Sequence, residues 1–180
     1  MSEKIKDGPF RGKNSLGFPI EGTLEDGKLH GIVTTYLGVD RNLRIEYNYI
    51  YGEKFGECKY YDENGKIGQE LWLEDGKKDG PYKEYYKNGQ IGEEGTYKYD
   101  EKDGPFKSYY ENGKLQFEGT YKYDKKDGPF KSYYENGQLW IVGTFKNDEP
   151  DGPFKHYNEN GQLKREETWK DGTLIDSKKY

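Results

Sequence analysis

The residues with chemistry to offer are few and poorly placed to share it. The chain has two histidines, His30 and His156, too far apart to serve one site. Ser108 and Ser132 recur with no histidine nearby, so a nucleophile with its general base is not indicated. Asp and Glu are abundant, but their regular recurrence fits turns and a solvated face; an acid–base pair would need a pocket. Asp100, Glu101 and Asp103, or Asp124 and Asp127, have the oxygen-rich composition of a calcium turn. Lys102, Lys125 and Lys126 are interleaved among them and would repel a cation, so no metal site is expected. Glycines fall at turns and fit no phosphate loop. No cofactor and no catalytic activity are expected.

What positions these residues is a repeat. Asp79-Gly80-Pro81-Tyr82 returns as Asp103-Gly104-Pro105-Phe106, Asp127-Gly128-Pro129-Phe130 and Asp151-Gly152-Pro153-Phe154, in steps of 24 residues. Such fidelity means one small unit stacked many times, with surface spread along a line rather than folded around one cavity. Aromatic residues make up 17% of the chain, there are 25 Gly, and Ala is absent, which opposes helix and suits pleated strands. Within one unit, Pro105–Tyr110 reads as a strand, Glu111-Asn112-Gly113-Lys114 as a turn, and Leu115–Tyr123 as a second, alternating strand.

The preferred register has a two-residue Asn112-Gly113 turn. It sets Tyr110 opposite Leu115, Phe106 opposite Gly119 and Tyr121 opposite Gly104, so that each strand glycine lies under an aromatic ring. The alternative is a three-residue Glu-Asn-Gly loop with a bulge, which shifts the pairing by one. Asn88-Gly89, Asn136-Gly137 and Asn160-Gly161 repeat the turn. Tyr82, Phe106, Phe130 and Phe154 are the expected core row, with Ile91, Leu115, Leu139 and Leu163 nearby. The expected fold is all-β: an elongated antiparallel meander of about seven hairpins in one twisted, curved sheet. It is read as a single repeat domain over 1–180, with degenerate repeats or a cap at 1–54, regular repeats at 55–174 and a tail at 175–180.

Bulk properties exclude several classes. The single cysteine, Cys58, allows no intramolecular disulfide. No apolar run approaches the roughly 18 residues of a membrane span. The N-terminal residues have no apolar core of a signal segment, and a cytoplasmic location is expected. A net charge of −5, with Lys and Glu intermixed, disfavours nucleic acid and suits a basic partner.

Departures from the repeat mark candidate binding residues. Where other units carry Gln116, Glu118 and Thr120 on the polar face, single units carry Trp140, Val142 and Trp72. Two tryptophans and a valine on a polar face have the composition of a recognition patch, unless neighbouring chain covers them. The row Tyr85, Tyr109, Tyr133 and Tyr157 shares that face in the preferred register. It serves either a partner or the stacking of hairpins. The nonrepetitive segment Ile32–Tyr51, with Tyr47 and Tyr49, is either an end cap or a partner-specific module. His156, in the slot of Glu84, Ser108 and Ser132, reads as a surface variant.

The pattern Asp-Gly-Pro-Phe-Lys-x-Tyr-Tyr-Glu-Asn-Gly-x-Leu followed by Glu-Gly-Thr-Tyr resembles the bacterial variant of the MORN repeat, over 55–174 well and over 7–54 poorly. The resemblance implies an antiparallel meander without catalytic residues. Some proteins built from this variant are antitoxins that neutralise bacterial toxins, whereas other MORN arrays serve at membranes or as scaffolds. The paired tyrosines and the Asn-Gly turn depart from the ordinary MORN pattern, so lipid binding is not carried over. The leading expectation is a cytosolic antitoxin or immunity protein that occludes a toxin domain. The alternative is a structural or scaffolding module, with the cell surface as one location.

Overall fold

The computed structural model describes residues 7–37 and 41–180. Among these there is no helix, and the strands are antiparallel throughout. The contacts divide the chain into two compact units, Met1–Gly89 and Gln90–Tyr180. In the first, β1 (Gly8–Lys13), β2 (Pro19–Glu25), β3 (Lys28–Tyr36), β4 (Arg44–Ile50), β5 (Glu53–Tyr61), β6 (Ile67–Glu74) and β7 (Lys77–Tyr85) pair in chain order as an open meander. The degenerate stretch thus supplies β1–β4, and residues 38–40 of the Ile32–Tyr51 segment lie outside the described residues.

The second unit continues the scheme with β8 (Ile91–Lys98), β9 (Glu101–Lys102), β10 (Gly104–Tyr109), β11 (Leu115–Lys122), β12 (Lys125–Lys126), β13 (Gly128–Tyr133), β14 (Leu139–Lys146), β15 (Glu149–Pro150), β16 (Gly152–Tyr157), β17 (Leu163–Lys170) and β18 (Thr173–Lys179). Asp103, Asp127 and Asp151 interrupt what are otherwise single strands, β9 with β10, β12 with β13 and β15 with β16. Residues 175–180, expected as a tail, belong largely to β18, which pairs with β17.

The two ends of each hairpin are built differently. At the Asn-Gly end the loop has three residues. Tyr110 N–H donates to Lys114 O at 2.8 Å, Gly113 N–H donates to Tyr110 O at 2.8 Å, and only Gly113 has a positive φ, of 79°. At the other end, Tyr123 and Asp124 form a two-residue turn with φ of 53° and 62°. Both central residues are left-handed there, as a tight hairpin twist requires.

Both registers weighed from sequence are therefore present in one hairpin. The three-residue loop sets Tyr109, rather than Tyr110, opposite Leu115. A bulge then leaves Gln116 unpaired, and the strand resumes with Phe106 opposite Gly119 and Gly104 opposite Tyr121. The loop shifts the pairing by one and the bulge restores it.

The core rows follow from this register. Phe106, Phe130 and Phe154 are buried in the second unit, and Val33, Cys58, Leu71, Leu73 and Tyr82 in the first. A Cβ on Gly143 would stand 2.4 Å from the Phe154 ring, and one on Gly119 would stand 3.0 Å from the Phe106 ring. The glycines are the hollows into which the rings fit. Gly104, by contrast, is covered by Thr96 and not by Tyr121. The ring contacts of the core row are Phe106–Tyr121 at 4.4 Å, Phe130–Phe145 at 5.2 Å and Phe145–Phe154 at 5.5 Å. Leu115, Leu139 and Leu163 instead stand opposite Tyr109, Tyr133 and Tyr157 at the loop end.

Candidate functional site

On the polar face, cross-strand neighbours alternate in charge. In the second unit the row runs Glu94, Lys107, Glu118, Lys131, Val142, Lys155, Glu166, Lys178. In the first, Glu46, Lys59, Glu70 and Lys83 do the same. Opposite charges facing each other across strands stabilise the pairing by roughly 0.2–1 kcal/mol each.

The tyrosine row is tied into this charge row. Tyr61 donates to Glu46 at 2.7 Å, Tyr85 to Glu70 at 2.6 Å, Tyr109 to Glu94 at 2.6 Å and Tyr133 to Glu118 at 2.7 Å. Tyr36 with Glu21 and Tyr180 with Glu166 make the same bond. Burial, then the Glu94 hydrogen bond, pushes the Tyr109 phenol up to about 12; burial and Glu118 do the same for Tyr133. Glu118 is held below the usual carboxylate range, first by the Tyr133 hydroxyl and then by Lys131 against the opposing effect of burial. Most of the row is thus committed to bonds between successive hairpins.

One rung is missing. The step that leads from Glu70 to Glu94 and Glu118 arrives at Val142. Among the described residues, no carboxylate takes the Tyr157 hydroxyl. Lys131 and Lys155 flank Val142 and bond outward, to Glu118 and Glu166, each at 3.2 Å. Trp140 is the unpaired bulge residue of the same strand, 41% exposed, with its ring 5.6 Å from that of Tyr134. A cleft of about 600 Å³ lies on the opposite face from Val142, lined by Tyr134, Trp140 and the cross-strand row Ile141, His156, Arg165 and Lys179; Trp140, expected on the polar face, borders this cleft because the bulge turns it out of the alternation. Lys164 is the bulge residue of the next hairpin.

A family model described as the MORN repeat variant matches residues 56–71, 78–99, 102–123, 126–147 and 150–171, more than half of the chain. The chain belongs to that family. Among curated proteins nothing matches it. The first four matched segments hold the donors Tyr61, Tyr85, Tyr109 and Tyr133, the Tyr36–Glu21 bond lies outside the matched residues, and Val142 and Trp140 fall inside the fourth segment.

Other expected site residues of this MORN repeat variant chain sit elsewhere. Trp72, 40% exposed, belongs to the first unit and packs on Gly80, where an added Cβ would be 2.8 Å from it. It holds the slot that Thr96 and Thr120 fill over Gly104 and Gly128. Tyr47 shares a row with buried Val33 and Cys58, with its ring 6.4 Å from those of Tyr49 and Tyr60 and Lys54 Nζ 3.5 Å from its centre. Tyr47 and Tyr49 are thus half-buried members of an inner aromatic cluster.

His156 is not a surface variant. Its side chain is 17% exposed, and its Nε2 lies 2.9 Å from Glu167 Oε2. Arg165 Nε is 3.1 Å from Glu167 Oε1, and Trp169 donates to Glu167 at 3.1 Å. Burial opposes ionisation of Glu167, but these partners outweigh it and hold the carboxyl below its usual range. The last repeat changes three inner positions together, Ser132 to His156, Ile141 to Arg165 and Gly143 to Glu167. A slot-by-slot reading missed the cluster because each change looks like scatter. The acidic turns are also engaged: Lys102 N–H donates to Asp124 Oδ1 at 2.7 Å, and Lys126 N–H to Asp148 Oδ1 at 2.8 Å.

Proposed function

We propose that this is a non-catalytic binding protein that covers the surface of a protein partner, and that the partner is a bacterial toxin domain neutralised by occlusion. The observation that carries the reading is the division of labour between repeated and unrepeated positions. Positions that repeat are committed to bonds between hairpins. The position that breaks the repeat, Trp140, leaves a 41% exposed indole beside an open cleft. Exposed aromatic anchors of this kind dominate binding energy at protein interfaces. The antitoxin role rests on the family resemblance. The non-catalytic reading is supported by Ser132, 1% exposed and out of reach of a substrate, and by His156, tied to Glu167.

The test is capture from the native cytoplasm with wild type and Trp140→Ala, followed by affinity measurement on the purified partner. Truncation of a central Trp is expected to weaken binding by about tenfold or more with the fold intact. A captured toxin whose activity is restored by the variant supports the reading. No partner, or unchanged affinity, overturns it in favour of a structural module.

A further inference from the structure

We infer that the cleft over the last hairpins is a docking site for an acidic peptide segment of the partner: its carboxylates meet Lys164 and Lys179, and an apolar side chain a few residues away packs on Trp140. The inference deepens the binding reading and rests on it.

The cleft forms where one row of the sheet changes character. From strand to strand, directly opposed residues run Phe117, Ser132, Ile141, His156, Arg165, Lys179. The first three are neutral and the last three are basic residue types. Arg165 and Lys179 face each other as like charges, which disfavours their pairing. Glu167 answers Arg165 and His156, at 3.1 and 2.9 Å. Among the described residues, Lys179 has no carboxylate within ion-pair distance, and neither has Lys164. Lys164 reaches the cleft as the bulge residue of its hairpin, the slot that Trp140 holds one repeat earlier. Three cations, Lys164, Arg165 and Lys179, thus stand against the one carboxylate of Glu167, an excess of positive charge. Among the described residues no Asp or Glu lines the cleft, although the chain holds 34 Asp and Glu against 29 Lys and Arg.

The two sides of the cleft differ. Trp140 and Ile141 of β14, with Tyr134 from the loop before it, supply an apolar wall. The Tyr134 ring is held in place by its hydroxyl, which donates to Tyr157 O at 2.8 Å, and the indole lies 5.6 Å from it. The strands β17 and β18 supply the basic wall. Three strand spacings of about 4.8 Å separate Ile141 from Lys179, or about 14 Å. An extended peptide covers that distance in about four residues at about 3.4 Å each. Free phosphate would use the basic wall alone. A segment with an apolar residue and acidic residues about four positions on uses both walls. The net charge of −5 acts on approach at long range, whereas the cleft is a local reversal of charge that selects which segment of the partner docks there.

The probe is an unlabelled peptide, Phe-Gly-Ser-Gly-Glu-Glu with both ends blocked, and a Gln-Gln analogue is the control, each titrated calorimetrically into the full chain at low salt. Wild type is expected to bind the Glu peptide at least about tenfold more tightly than the analogue, the scale of one charge-assisted contact. Lys164→Gln/Lys179→Gln is expected to abolish the preference. Both side chains are exposed and the change relieves a like-charge pair, so this variant is expected to melt no lower than wild type. Lys155→Gln, which removes a cation from the opposite face, is expected to keep the preference. Trp140→Ala is expected to weaken both peptides about threefold or more and to leave their ratio unchanged. No binding of the Glu peptide by wild type, equal binding of the two peptides, a preference that survives the double lysine variant, or displacement of the peptide by inorganic phosphate at the same concentration overturns the inference. The two readings fail separately. A captured partner indifferent to the double lysine variant removes the cleft as its docking site and leaves the binding protein standing. If nothing is captured, the broader reading falls while the titration still decides what the cleft accepts.

Discussion

Tyr123 sits at φ 53° in a two-residue turn, with its ring 64% exposed. A left-handed conformation costs an ordinary residue roughly 1–2 kcal/mol, and Asn tolerates it best after Gly. The equivalent turn at Asn147-Asp148 already uses Asn, at φ 52°. Tyr123→Asn is therefore expected to raise stability by about 0.5–1 kcal/mol in urea melts; a loss would show that the exposed ring contributes more than the backbone strain removes. A second residue-scale lesson is compensation. Phe106 and Phe130 face Gly119 and Gly143, whereas in the first unit Cys58 faces Leu71 in the same two slots. The large and small partners have changed strands. Cys58→Phe alone is expected to overpack and destabilise by about 1–3 kcal/mol. Adding Leu71→Gly should recover part of that loss, read as a coupling in a double-mutant cycle. Additive effects would mean that the two sites do not share a volume. Burial also lifts the Cys58 thiol to about 12, so it offers no thiolate for redox chemistry near neutral pH.

Each hairpin is held by a ring in a hollow on one face and by a phenol on a carboxylate on the other. Phe130→Ala removes the first kind of contact, from a side chain 9% exposed between Phe117 and Phe145, and is expected to cost roughly 3–5 kcal/mol. A loss below about 1 kcal/mol in a denaturant melt would place that slot toward solvent. The second kind of contact makes stability depend on pH. Tyr109 and Tyr133 have phenols raised to about 12 in the folded chain, against about 10 for an unfolded tyrosine. Their contribution is complete below about pH 10 and is lost as pH climbs from there through about 12. Wild type should therefore lose more stability across that window than a Tyr109→Phe/Tyr133→Phe variant. Identical slopes in the two proteins would dissociate the phenols from the pH dependence. Sequence showed the period, the strands and the Phe106 ring over Gly119, because those depend on residue type at fixed spacing, but not that Thr96 covers Gly104. It did not show the bulge. Asn-Gly is compatible with two loop lengths, and only hydrogen-bond closure across Tyr110 and Lys114 decides between them. Nor did it show the phenol bonds, since Tyr109 and Glu94 are remote in the chain and each alone reads as a surface residue.

Across the molecule, the same bonds recur from one hairpin to the next, which is why the exceptions are informative. Val142 was legible as an oddity in the sequence, but what it omits became visible only once its row of glutamates had partners. The polar cluster of His156, Arg165 and Glu167 was illegible for the opposite reason: three substitutions compensate one another, and no single one announces the group. The turns add a further thread. Asp124 accepts from the Lys102 amide and donates its own amide to the Lys102 carbonyl at 3.0 Å, and Asp148 repeats both bonds with Lys126, the latter at 2.9 Å. The backbone bond recurs once more as Gly172 N–H to Pro150 O at 3.1 Å, where proline and glycine leave no side-chain counterpart, so these turns link each hairpin to the next by a repeated bond. A stretch of DNA encoding one period can be copied in tandem, and the extra hairpin arrives with its donors and acceptors already matched to both neighbours. The gene can lengthen or shorten by whole repeats without new contacts having to evolve, whereas a slip of a single codon sets donor against donor. Variation in such a lineage is thus channelled into repeat number and into the few unrepeated positions.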